Sequence, residues 1–134
     1  MSKEEFGSLS SASLEQAEGM LDYCRRKQIE VYCREDSAFP QKLREISNPP
    51  SVLFTKGRLE NVSFDKSAAV IGAREADAYS ESCARRISAE LAEAGITVIS
   101  GFAKGIDSAA HEGALYSGGK TAAVLGCGTE YELS

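Results

Sequence analysis

The feature that most limits how this chain can fold is a unit repeated through its second half: a short apolar run that ends in glycine. Ala68-Ala69-Val70-Ile71 stops at Gly72, Ile96-Thr97-Val98-Ile99 passes through Ser100 to Gly101, and Thr121-Ala122-Ala123-Val124-Leu125 stops at Gly126 and Gly128. Strands buried on both sides lose the polar alternation of a half-exposed sheet, so these runs predict parallel strands covered on both faces. Between the first two, Cys83, Ala84, Ile87, Leu91 and Ala94 share one helical face, and Gly95 stands where a left-handed C-cap belongs. Between the second and third, Asp107 is placed as the N-cap of a shorter helix with Ala110, Ala114 and Leu115 inward, which Gly118-Gly119 breaks. The expected class is α/β with right-handed crossovers.

Upstream the pattern is less regular. Ser13 precedes Leu14, Ala17, Leu21 and Cys24, a three-and-four spacing that predicts a helix over about 13–27, and Gln16 completes a capping-box pattern. Ile29, Val31 and Cys33 alternate with Glu30, Tyr32 and Arg34, the period of a half-buried strand. Phe39-Pro40 opens a short helical turn carrying Leu43 and Ile46, which Asn48-Pro49-Pro50 stops, and Val52-Leu53-Phe54 reads as a second strand. The expected organisation is a reduced N-terminal subdomain over 1–57, a polar connector over 58–66, and an α/β domain over 67–134.

Composition narrows the classes of function. With 43% hydrophobic and 26% charged residues, a chain of 134 residues has the make-up of an ordinary globular protein with one core. Its start is acidic and lacks an apolar signal region, and no segment approaches the ~18 apolar residues of a membrane span, so the expected address is the cytoplasm with no membrane span. Cys24, Cys33, Cys83 and Cys127 are scattered with no C-x-x-C pair, and His111 is the one histidine, which argues against a metal site or a disulfide framework. The net charge of −5 excludes a protein that coats nucleic acid through a general positive field. Any phosphate contact must be local.

Locality points to the strand ends, because ligands of open α/β sheets bind in the crevice beyond the carboxyl ends of the strands. There the sequence places Gly72-Ala73-Arg74 and Ser100-Gly101-Phe102-Ala103-Lys104-Gly105. Glycines let backbone amides approach an anion, and Arg74 and Lys104 would add a forked and a point-charge contact to successive phosphates. Candidate phosphate-binding residues are therefore Gly72, Ala73, Arg74, Ser100, Gly101, Lys104 and Gly105, with Tyr79, Gly126 and Gly128 as weaker candidates. Spacing alone reads equally well as tight turns without a ligand and solvated loop charges.

Ala69-Val70-Ile71-Gly72-Ala73-Arg74 with Tyr79, then Gly95 to His111, then Ala123-Val124-Leu125-Gly126-Cys127-Gly128, resemble the DprA/Smf family over about residues 29–128. The resemblance implies a Rossmann-like three-layer parallel sheet, present in incomplete form. It implies single-stranded DNA binding in DNA uptake and natural transformation, and loading of the RecA recombinase, with no cofactor and no reaction of the protein's own. The family's phosphate-contacting arginine and lysine fall on Arg74 and Lys104. His111 belongs to the motif and reads as a hydrogen-bonded helix residue or a catalytic base, although no nucleophile is placed by sequence to pair with it.

Some positions depart from that pattern. Ser80 replaces a usual glycine, and Glu75 sets an acid beside Arg74. The family continues beyond the Leu125-Gly126-Cys127-Gly128 strand, whereas this chain stops at Ser134. That puts RecA contact in question, and an edge left without its neighbouring strand invites a homodimer. The alternative function is a nucleotide-binding enzyme or sensor of the phosphoribohydrolase-like Rossmann group, for which Gly126-Cys127-Gly128-Thr129-Glu130-Tyr131-Glu132 matches part of a motif and Glu132 would be the acid.

Overall fold

Ser13 starts the first helix as the sequence predicts: its hydroxyl accepts from the Gln16 amide at 3.1 Å. In the computed structural model, which describes residues 13–127, helix α1 spans Leu14–Arg26. Its apolar stripe is not an inward face, since Cys24 is buried while Leu14 and Leu21 are exposed. Strands β1 (Glu30–Cys33) and β2 (Val52–Thr55) pair antiparallel, Glu30 opposite Thr55 and Cys33 opposite Val52. Burial along β1 follows the expected alternation at Glu30 and Val31 and reverses at its end, with Tyr32 buried and Cys33 exposed. The cause lies in the connector: the Tyr32 hydroxyl donates to Glu60 Oε2 at 3.1 Å and accepts from the Leu59 amide. Helix α2 (Gln41–Arg44) follows Pro40 for a single turn, and Ile46 lies beyond it, exposed.

The second half builds a parallel sheet from β3 (Ser67–Ala69), β4 (Thr97–Ser100) and β5 (Thr121–Ala123), in the spatial order β3-β4-β5. Ladder bonds run one residue past β3 and β5, from the Val70 amide to the Ile99 carbonyl and from the Val124 amide to the Ser100 carbonyl. Helices α3 (Ala78–Glu93) and α4 (Ile106–Tyr116) make the crossovers. Both end in the same way. Gly95 and Gly118 take φ of 75°, and the following residues, Ile96 and Gly119, donate back to the Leu91 and Ala114 carbonyls, which is the Schellman closure that glycine permits.

Right-handed crossovers that advance in one direction across a sheet set their helices on one side. Accordingly α3 and α4 pack on each other, and Val98 is fully buried beneath Ala92, Ala110 and Ala114, with Val70 and Leu91 at its margin. Residues of the opposite sheet face, Ile71 and Val124, are exposed to 72% and 67%. Of the two helical layers expected around the sheet, one lies among the described residues.

The helix faces differ from those drawn by hydrophobicity. Ile87 and Leu115, expected inward, are 47% and 62% exposed, and the buried positions of α3 are Ala84, Ser88 and Ala92. Close approach selects for size here. A Cβ on Gly113 would collide with the backbone of Arg85, and one on Gly119 with Ala92. Large side chains are displaced to the flanks, where Arg85 Nε and Nη2 grip Glu112 Oε2 at 3.0 and 2.8 Å across the two helices. Gly113→Ala is expected to destabilise the fold by about 2 kcal/mol through overpacking. Gly19→Ala, in α1 with nothing within 4 Å, should stabilise by up to about 1 kcal/mol. Urea unfolding of the two variants beside the parent checks both signs.

Candidate nucleic-acid interface

The loops that leave β3 and β4 are built against each other. The Ile106 amide, at the start of α4, donates to the Ala73 carbonyl at 3.2 Å. A Cβ on Gly72 would stand 2.7 Å from Ile106 Cγ1, and one on Gly105 would collide with the Ala73 and Arg74 carbonyls. Gly105 also takes φ of 77°, so it is glycine for two reasons. Arg74 and Lys104 thereby sit on adjoining loops at one sheet edge. Both are exposed, and among the described residues the ion pairs are Arg25–Asp22, Arg85–Glu112 and Arg86–Glu90, none of which uses either.

Asp107 fastens the two loops together. Its carboxylate is 7% exposed and accepts from Gly72 N at 3.3 Å, Gly101 N at 3.1 Å and Ala103 N at 3.4 Å. It is not the helix cap that the sequence suggests; Gly105 occupies that position, and Asp107, two residues further in on the first turn, faces the strand ends. The amides of Gly72 and Gly101, expected to face a phosphate, already have a carboxylate. A Cβ on Gly101 would fall 2.8 Å from Asp107 Oδ2. Ser100 also differs from expectation: it is buried, and its hydroxyl donates to the Val70 carbonyl at 2.7 Å, tying β4 to β3.

Behind the β4 loop stands His111, 6% exposed on α4. Its Nδ1 lies 2.6 Å from Thr121 Oγ1, and that hydroxyl donates its proton to the Val98 carbonyl at 2.8 Å. Thr121 must therefore accept from His111, which fixes the tautomer with hydrogen on Nδ1. Nε2 is buried without a partner. Burial pushes the imidazole below its usual titration range, partly opposed by the Asp107 charge, so the ring is neutral at pH 7.

The family assignment comes from comparison with known proteins. A model of the DNA recombination-mediator protein A family matches residues 30–133. The chain belongs to this family. The DNA processing protein DprA of Streptococcus pneumoniae is 41% identical over 95 residues, which is 71% of this chain and 33% of the relative. Protein Smf of Synechocystis is 34% identical over 113 residues, 82% of this chain and 28% of the relative. The crystal structure of the Streptococcus pneumoniae DprA superposes with a TM-score of 0.70 at 36% identity, covering 78% of this chain and 36% of that one. The chain thus spans about a third of the length of these relatives, and at that identity it shares their Rossmann-like fold.

Of the candidate residues, the structure brings Ala73, Arg74, Lys104 and Gly105 together at the loop junction. Tyr79 lies on the first turn of α3, 78% exposed, with its phenol raised in pKa chiefly by its hydrogen bond to Cys83. Gly126 follows β5 in open surroundings. Gly128 and the Thr129–Glu132 stretch lie outside the described residues. Among the described residues no helix is long and apolar enough to cross a membrane. Nor does any group of three or more His, Cys, Asp or Glu there stand ready to hold a metal ion.

Sequence reasoning missed Asp107 as the clamp. A signal was present: a carboxylate within the first turn after a glycine-bounded loop is in reach of the amides that the loop exposes. Asp107→Ala leaves three donors without that acceptor and should destabilise by about 3 kcal/mol. Amide exchange at Gly72 and Gly101 should speed up in the same variant, and unchanged exchange there would refute the clamp. The lowered His111 pKa sets a second expectation. An unfolded imidazole, titrating near 6.5, binds the proton that the folded one refuses. Stability is therefore full above about pH 7 and declines as pH falls through 6.5 toward the lower folded value. Thermal melts between about pH 7.5 and 5.5 should show this slope in the parent and a flatter profile in His111→Gln.

Proposed function

We propose that this chain binds single-stranded DNA at the junction of the β3 and β4 loops, as a DNA-processing module acting in DNA uptake during natural transformation and in RecA-dependent recombination. The observation that carries the reading is the placement of Arg74 and Lys104, exposed and outside the ion pairs, on two loops locked together by Gly105 and Asp107. Neighbouring cations on a rigid edge suit successive phosphates of one strand, with the guanidinium giving a forked contact and the ammonium a point charge. The net charge of −5 over the whole chain confines the attraction to that edge. Membership of a recombination-mediator family supports the same ligand.

In this reading the protein holds DNA without performing a reaction and without a cofactor. It works in the cytoplasm, with RecA and a second copy of the chain as its protein partners. Two side-chain contacts per copy make each copy a modest binder, so tight association comes from several copies along one strand.

Arg74→Ala and Lys104→Ala should each weaken binding of a short oligonucleotide about tenfold at low salt, the worth of one charged hydrogen bond, with little change in unfolding midpoint. The parent's log affinity should fall against log salt with a slope of about −1.4 for two contacts to a single strand. Mobility-shift titrations in which both variants bind like the parent would overturn the assignment.

A further inference from the structure

Phe102 is the one feature of the β4 loop that the clamp does not explain. It stands between Gly101 and Ala103, two residues before Lys104, and it takes φ of 62°, a left-handed conformation unusual for a bulky side chain. Its ring is 53% exposed. A strained backbone that leaves about half of an aromatic residue in solvent recovers only part of its cost in packing, and such outliers gather at ligand contacts. The ring is also positioned. It meets the buried His111 ring at a centroid distance of 5.5 Å and an angle of 62°, and the Thr121 hydrogen bond fixes His111 in turn. Because the two rings do not lie face to face, Phe102 has no stacking partner in this contact.

We infer that Phe102 is a stacking platform for one unpaired nucleobase of the strand whose phosphates meet Arg74 and Lys104. The inference rests on the reading that these loops bind single-stranded DNA, and it deepens that reading by naming what selects a single strand. Arg74 and Lys104 touch only phosphate, which a duplex presents equally well. A ring accepts a base only when that base is free to leave its own stack, and every base offers a π-face, so the preference is for single strands irrespective of sequence. Leucine would maintain an apolar contact with His111 but has no flat face.

The test compares oligothymidylate of about 12 nucleotides, within the footprint of a single-strand groove, with an abasic strand of equal length. The parent should prefer the strand carrying bases by about tenfold, the worth of one stacked base. Phe102→Ala and Phe102→Leu should abolish that preference while binding the abasic strand as the parent does; the leucine variant guards against loss of the His111 contact. Phe102→Trp should retain the preference, and its indole, introduced into a chain that has no other tryptophan, should be quenched by oligothymidylate and not by the abasic strand. If the parent binds both strands equally and the Phe102 variants match it, stacking is wrong and phosphate binding stands. If the parent binds neither strand, the proposed function fails and the platform with it.

Discussion

One buried carboxylate organises the strand-end edge of this molecule. Asp107 accepts three amide hydrogens from two loops that are some thirty residues apart in the chain. A desolvated carboxylate is costly unless its oxygens are fully engaged, and amides pointing outward from strand ends are costly unless something accepts from them. Each defect answers the other. Once the loops are drawn this close, side chains at Gly72, Gly101 and Gly105 would have nowhere to go, so the glycines follow from the clamp. The loops become a rigid mount, and what they present to solvent is borne on side chains: Arg74, Lys104 and Phe102.

That division of labour explains which parts of the protein were legible in the sequence. The apolar runs marked all three parallel strands, and Gly95 and Gly118 closed the helices where expected, because both signals depend on residues a few positions apart. The helix faces were misdrawn because hydrophobicity says nothing of how near two helices come. Ile87 and Leu115 are the more apolar choices, yet Gly113 sets a spacing that admits only Ala84, Ser88 and Ala92. Tyr32 turned inward for a partner at Glu60, 28 residues away. At the strand ends, Arg74 and Lys104 lie on the adjoining loops that the pattern implied, whereas the Gly72 and Gly101 amides and the Ser100 hydroxyl bond within the protein itself.

Electrostatically, the arrangement keeps a negative group close to the edge that carries Arg74 and Lys104 while turning that charge inward. The Asp107 charge is buried and directed into amide donors, away from solvent, so its field at the surface is reduced by the dipoles facing it. His111, close behind, is neutral and adds no charge of its own at pH 7. The surface field there comes from Arg74 and Lys104, opposed in part by the exposed Glu75 beside Arg74, on a molecule whose overall charge is negative.

Spatial order in the sheet has a consequence for how the chain assembles. Each strand of β3-β4-β5 pairs with its nearest sequence neighbour, and each intervening helix packs beside the next one formed. Parallel sheets usually demand distant pairings and fold slowly for that reason. Here every loop to be closed is a single βα step, and the sheet can grow strand by strand in the direction of synthesis, as each newly emerged unit docks on one already in place.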